Sequence, residues 1–173
     1  GLMIGELALV AWLSGLVGKM SAATASGVFL FYSALNGLTL SVIFLIYTRG
    51  SIASTFVVSA GTFGAMSVYG FVTKRSLTGL GSFCFMGLIG VIIAGIVNIF
   101  VQSSMLSFLV SCVGVIVFVG LTAYDTQRLK EIGASVDVDS EEGRKGAVVG
   151  ALALYLDFIN LFLMLLRLLG NRR

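Results

Sequence analysis

Six apolar stretches separated by polar links follow one another along the chain. They cover residues 2–17, 24–47, 52–73, 80–101, 105–128 and 147–169. A helix that crosses the hydrocarbon core of a bilayer needs about 20 mostly apolar residues, and these stretches approach or reach that length. All links except residues 129–146 are short, which favours antiparallel neighbours. The pattern therefore predicts an all-α membrane protein with six visible transmembrane helices in one domain, residues 1–173.

The composition fits a protein that uses the bilayer as its solvent. Of the 173 residues, 58% are hydrophobic and 11% are charged, whereas soluble domains are about half apolar and about a quarter charged. The net charge of +3 is distributed among the links and forms no basic stripe interleaved with aromatic residues. We therefore expect the lipid bilayer as a partner and no nucleic acid.

Glycine is abundant, with 22 residues, and proline is absent. Small residues let transmembrane helices approach closely. Pairs of small residues four positions apart recur along the apolar stretches, at Ser33/Gly37, Ala60/Gly64, Gly90/Ala94 and Gly146/Gly150. These pairs predict a compact bundle.

The basic residues predict the orientation, because cytoplasmic links carry an excess of Lys and Arg. Strict alternation gives one side Lys19, Lys74, Arg75, Arg128, Lys130, Arg144 and Lys145. The other side receives Arg49, Arg172 and Arg173. The first side should be cytoplasmic. The position of the C-terminus stays open, since the last stretch either crosses the membrane or dips in and returns.

Three acidic residues lie inside the apolar stretches, where a charge costs at least a few kcal/mol. Asp157 lies about 15 Å along its predicted helix, near mid-membrane, with Asn160 three residues on and on the same face. Asp125 lies near the cytoplasmic end of its helix, three residues before Arg128, with which it could form an ion pair. Glu6 lies in the first stretch, either in the membrane or near the outer surface. This spacing alone does not bring Asp125 and Asp157 together.

Carboxyl groups are the residues best suited to proton sensing in this chain, because it contains no His. Two carboxyl groups brought together in a low-dielectric site share a proton and titrate as a pair. Carboxylates also suit Ca²⁺, but a tight site needs about 6–8 oxygen ligands, so only a weak calcium site at Asp125 and Asp157 is expected. No nucleophile–base pair or metal cluster is visible, so we expect neither an enzyme nor a resident cofactor.

Two segments resemble the signature stretches of the Bax inhibitor family, the transmembrane Bax-inhibitor-motif proteins. They are GLTAYDTQ at residues 120–127 and LYLDFINLF at residues 154–162, and the similarity continues through residues 32–41 and 61–67. The resemblance covers essentially the whole chain and is greatest to the bacterial branch. It implies a seven-helix bundle with the C-terminal helix at the centre. On this reading, the chain holds the last six helices and resides in the bacterial inner membrane.

The resemblance also implies a pH-sensitive calcium leak, with Ca²⁺ and protons as the partners. Asp125 and Asp157 match the family's paired proton sensor, and Glu6 matches an acid implicated in calcium passage. We add Asn160 to the ion pathway because it shares a helix face with Asp157.

The family's basic latch residue does not align cleanly. Lys19 is the nearest base in the matching region, and Arg128 is the other candidate partner for the acid pair.

Two other interpretations stay open. The protein could be a regulatory membrane protein that binds and modulates a membrane-bound quality-control protease, since the resemblance extends to bacterial proteins that restrain such a protease. Alternatively, the acids could serve only to hold two helices together.

Overall fold

The computed structural model describes residues 15–173. The helices are α1 (Ala22–Leu40), α2 (Ile43–Ile46), α3 (Arg49–Val72), α4 (Thr78–Val101), α5 (Ser104–Ser135) and α6 (Glu141–Leu169). Five of these segments are long and apolar enough to cross a membrane, with α1 and α2 counted together. They correspond to five of the six predicted stretches. Residues 2–14 of the first stretch, including Glu6, lie outside the described residues.

Hydroxyl side chains cap the N-termini of four helices. In each case the hydroxyl oxygen accepts a hydrogen bond from the backbone N–H three residues further on, which satisfies a donor that the helix cannot pair internally. The capping residues are Ser21 for α1, Thr48 for α3, Ser103 for α5 and Ser140 for α6. The Ser and Thr residues in the links therefore mark where these helices begin.

The last two helices are longer than hydrophobicity predicts. The sequence pattern ends one helix at residue 128 and starts the next at 147, but α5 continues to Ser135 and α6 begins at Glu141. The boundaries in the prediction followed apolar residues, whereas polar residues continue a helix beyond the hydrocarbon core. Glu141 and Glu142 in the first turn of α6 favour that start, since negative charge stabilises a helix N-terminus. The predicted link at 129–146 is thereby reduced to residues 136–140.

Helices α5 and α6 form the inner pair of the bundle. In their most apolar stretches 44% and 39% of the residues are buried, against 11–17% in the other spans. Helix α5 packs against α3, α4 and α6, and α6 packs against α1, α3 and α5. Outer helices expose large apolar side chains such as Leu38, Phe83 and Phe100, as expected for a surface that faces lipid.

The C-terminus lies at the opposite end of the bundle from the 136–140 link. Helix α6 is continuous, and the residues after it hydrogen-bond to the segment between α2 and α3. The Thr48 N–H donates to the Asn171 carbonyl oxygen at 3.1 Å, and the Arg173 N–H donates to the Ile46 carbonyl oxygen at 2.9 Å. The alternative in which the last apolar stretch dips in and returns is therefore wrong.

Candidate functional site

Asp125 on α5 and Asp157 on α6 are brought into contact, with their carboxyl groups within hydrogen-bonding reach. Close contacts at glycines set the register of the two antiparallel helices. Gly114 faces Met164, and Gly150 lies so close to Leu129 that a Cβ there would overlap its side chain. This register sets Asp125 level with residue 154, about 4.5 Å and just under one turn from Asp157.

The directions of the two side chains account for the remaining distance between Asp125 and Asp157. Each Cα–Cβ bond in a helix tilts toward that helix's own N-terminus. Because α5 and α6 are antiparallel, the Asp125 side chain leans deeper into the bundle and the Asp157 side chain leans toward the 136–140 link. The two therefore lean toward each other.

Asp157 is almost completely buried, with 4% of its surface exposed. Its Oδ2 oxygen receives no hydrogen bond from a donor in the described part of the chain. Two carboxyl groups can hydrogen-bond to each other only when one of them carries a proton. A hydrogen bond between Asp157 and Asp125 therefore requires at least one proton on the pair.

The acid pair opens onto a cavity of about 540 Å³ between α4, α5 and α6. Asp125, Asp157 and Asn160 line it together with Arg128 and apolar residues such as Phe118. Asn160 is only 1% exposed, and neither its Nδ2 nor its Oδ1 has a hydrogen-bond partner among residues 15–173. The cavity therefore combines two carboxyl groups with an amide whose hydrogen-bonding capacity is unused.

The two basic candidates differ in their relation to the acid pair. Arg128 is exposed at the edge of the cavity and interacts electrostatically with Asp125, although they form no salt bridge within 4.0 Å. Lys19 is exposed in the turn before α1 and makes no hydrogen bond or ion pair with either acid. The structure thus associates Arg128, and not Lys19, with the acid pair.

The acids do not form a metal cluster of the usual kind. Within residues 15–173, no group of three or more His, Cys, Asp or Glu side chains could hold a metal ion. Two carboxyl groups and one amide oxygen are fewer ligands than the roughly 6–8 oxygens of a tight calcium site. Any cation here would keep much of its water.

Gln127 supports the site and was missed from the sequence. Its Oε1 accepts a hydrogen bond from the Leu77 N–H and its Nε2 donates to the Arg75 carbonyl oxygen, both at 2.8 Å. The side chain therefore ties the link between α3 and α4 to α5, two residues after Asp125. Its position next to the acid in the GLTAYDTQ stretch was the available signal.

Taken together, these features define a class: an integral membrane protein of packed helices, with a carboxyl pair, one member buried and one partly buried, beside a cavity between helices. The family described as "Inhibitor of apoptosis-promoting Bax1" matches residues 1–173. The chain belongs to this family, the Bax inhibitor family, as the signature stretches indicated.

Bacterial relatives match nearly the whole chain. "Inner membrane protein YbhL" of Escherichia coli K12 is 59% identical over 174 residues, covering all of this chain and 74% of the relative. A protein of Borreliella burgdorferi is 54% identical over 168 residues, covering 97% of this chain and 72% of the relative. A membrane protein of Streptococcus pyogenes serotype M6 is 44% identical over 171 residues, covering 99% and 73%. The chain is a bacterial inner membrane protein.

Proposed function

We propose that this protein is a proton-gated leak for calcium across the inner membrane, with Asp125 and Asp157 as the proton sensor. The observation that carries the proposal is the contact of these two acids beside a cavity of about 540 Å³. A pair of acids is costly to bury in a membrane, and such residues mark ion and proton pathways in membrane proteins.

The protonation state of the pair changes the force between α5 and α6. With one shared proton, a hydrogen bond links the helices and the pair carries one negative charge. Loss of that proton leaves two carboxylates that repel each other, and gain of a second proton removes the negative charge. Helix packing and the attraction for cations therefore both depend on pH.

The cavity suits a cation in transit better than one that is tightly held. Carboxylate oxygens and the Asn160 Oδ1 are the kinds of ligand that Ca²⁺ prefers. Their small number favours weak binding, which conduction requires. Arg128 at the cavity edge competes with the cation for Asp125 and would act as the latch. We also include Glu6 in the ion pathway. The proposal assumes a seven-helix bundle with α6 at its centre.

The test is calcium entry into dye-loaded proteoliposomes over about pH 5 to 8, because the proposal makes flux depend on the protonation of the acid pair. The Asp157→Asn variant keeps the shape of the side chain and a hydrogen-bond donor for Asp125, but it cannot ionise. We expect its flux to lose most of the pH dependence of the unchanged protein. Asp139→Asn is the matched control, because Asp139 is an exposed acid on the 136–140 link, and it should retain that dependence.

Thermal unfolding of each variant must accompany the flux measurement, since a changed hydrogen bond at the buried Asp157 can cost about 1–3 kcal/mol. If folded Asp157→Asn protein shows the same flux and the same pH dependence as the unchanged protein, the acids only hold helices together and the proposal fails. If folded, unchanged protein carries no calcium at any pH, the proposal also fails. The regulatory role toward a membrane protease would then be the next to test by co-purification.

A further inference from the structure

A second cavity, of about 600 Å³, lies closer to the C-terminal end of the bundle than the acid pair does. It is formed by the C-terminal end of α1, by α2, by the second half of α4, by the start of α5 and by the last turns of α6. Its walls are mainly apolar, with residues such as Val91, Val110 and Leu166 at the inner side. The acid pair plays no part in this cavity.

The cavity opens sideways toward the bilayer. Three of its lining residues are large apolar side chains that are also about half exposed: Val42 at 50%, Ile46 at 45% and Ile99 at 52%. Ile46 and Ile99 lie on helices whose outer faces carry apolar side chains, and Val42 lies in the turn between α1 and α2. A molecule that enters here therefore comes from the membrane, and part of it must be apolar.

The charged residues of the cavity are Arg167 and Arg172. No acid lines it, and every Asp and Glu in the described part of the chain belongs to residues 125–157, away from this end. Neither guanidinium forms a salt bridge within residues 15–173. Within residues 15–173, therefore, no acidic side chain compensates the positive charge at this end.

Arg172 is held in position by its surroundings. Its guanidinium carbon lies 6.0 Å from the centre of the Tyr47 ring, within the range of a cation–π interaction. The backbone on both sides is fixed, because the Asn171 N–H donates to Ser51 Oγ at 2.9 Å and the Arg173 N–H donates to Ile46. This ordering reduces the cost of immobilising the side chain around a ligand.

We propose that this cavity binds an anionic phospholipid. The phosphate lies between Arg167 and Arg172, because guanidinium groups match the geometry of phosphate oxygens. One acyl chain packs against the apolar wall formed by α4, α5 and α6. The combination of an apolar wall, a lateral opening and an unpaired cationic rim selects a membrane lipid over a water-soluble phosphate.

The test is a lipid titration of the purified, full-length protein in neutral detergent, read by native mass spectrometry and by the unfolding temperature. Phosphatidylglycerol is the probe, and phosphatidylcholine and glycerol phosphate are the comparison ligands. We expect phosphatidylglycerol to bind and to raise the unfolding temperature, and the other two to have much smaller effects. In the Arg167→Gln/Arg172→Gln double variant, the affinity for phosphatidylglycerol should fall by about tenfold or more, the loss expected for charged hydrogen bonds.

Two further variants separate charge from shape. Arg49→Gln/Arg173→Gln removes the same charge from the same end but from residues that do not line the cavity, and it should bind phosphatidylglycerol like the unchanged protein. Gly95→Phe adds bulk at a cavity-lining position where a Cβ would meet nothing within 4 Å, so it should exclude the acyl chain without a charge change.

The proposal is overturned if both double variants lose affinity equally, since the attraction is then diffuse. It is also overturned if phosphatidylcholine binds as well as phosphatidylglycerol, or if glycerol phosphate binds as tightly as the whole lipid.

Discussion

Asn36 and Asn160 are both buried, at 4% and 1% exposure, but they differ in their hydrogen bonds. The Asn36 Nδ2 donates to the Tyr155 hydroxyl at 3.2 Å and thereby links α1 to α6. Neither amide atom of Asn160 has a partner within the described residues. A buried polar group without a partner destabilises the folded protein, and the proposed function places Asn160 in the ion pathway.

This difference predicts opposite responses to the same substitution. Asn160→Leu should leave the free energy of unfolding unchanged or raise it by about 1–2 kcal/mol, because it removes unpaired polar atoms. It should also lower calcium flux in proteoliposomes. Asn36→Leu, as the control, should lower the free energy of unfolding by about 1–3 kcal/mol because it leaves the Tyr155 hydroxyl without its donor. Equal destabilisation by both substitutions would show that Asn160 is a structural residue.

At the level of the helices, hydrophobicity predicts the existence of the described spans but not their relative positions. The apolar stretches predict the bounds of α3 and α4 to within a few residues. Asp125 and Asp157 are recognisable as candidate site residues because each interrupts an apolar stretch. The contact between them depends on the lengths of α5 and α6 and on the register set by Gly114 and Gly150. These are long-range packing properties, which no local pattern encodes, so the spacing along the sequence left the two acids apart.

Glycine contacts between helices can be tested directly at α3. A Cβ added at Gly70 would overlap the carbonyl oxygen of Ala123 on α5, whereas one added at Gly64 would meet nothing within 4 Å. Gly70→Ala should therefore destabilise the protein by about 1–3 kcal/mol through overpacking. Gly64→Ala should be neutral or slightly stabilising, because Ala favours a helix over Gly by about 1 kcal/mol. Thermal unfolding in one detergent compares the two, and equal unfolding temperatures would mean that α3 and α5 are further apart than described.

At the scale of the whole molecule, the two ends of the bundle differ in charge. Seven of the eleven Lys and Arg residues lie at the end of the bundle that holds the links at 73–77 and 136–140. The other carries four arginines, at positions 49, 167, 172 and 173, and no described acid. Because Lys and Arg concentrate on the cytoplasmic side and acids count for little, the end with the two links should face the cytoplasm. The second cavity and the C-terminus should then face outward.

Thiol labelling can test this orientation with one substitution at each end. Asp139→Cys lies on the 136–140 link and Asn171→Cys lies after α6, and both positions are exposed. A membrane-impermeant maleimide added to intact spheroplasts should label Asn171→Cys and not Asp139→Cys, and both should react once the membrane is permeabilised. The native thiols are poor competitors, because Cys84 is buried and Cys112 is partly buried, and the unchanged protein measures their background. Labelling of Asp139→Cys alone in intact spheroplasts would show that the protein has the opposite orientation in the membrane. Under the proposed function, the Arg128 side of the acid-pair cavity would then face the outside of the cell instead of the cytoplasm.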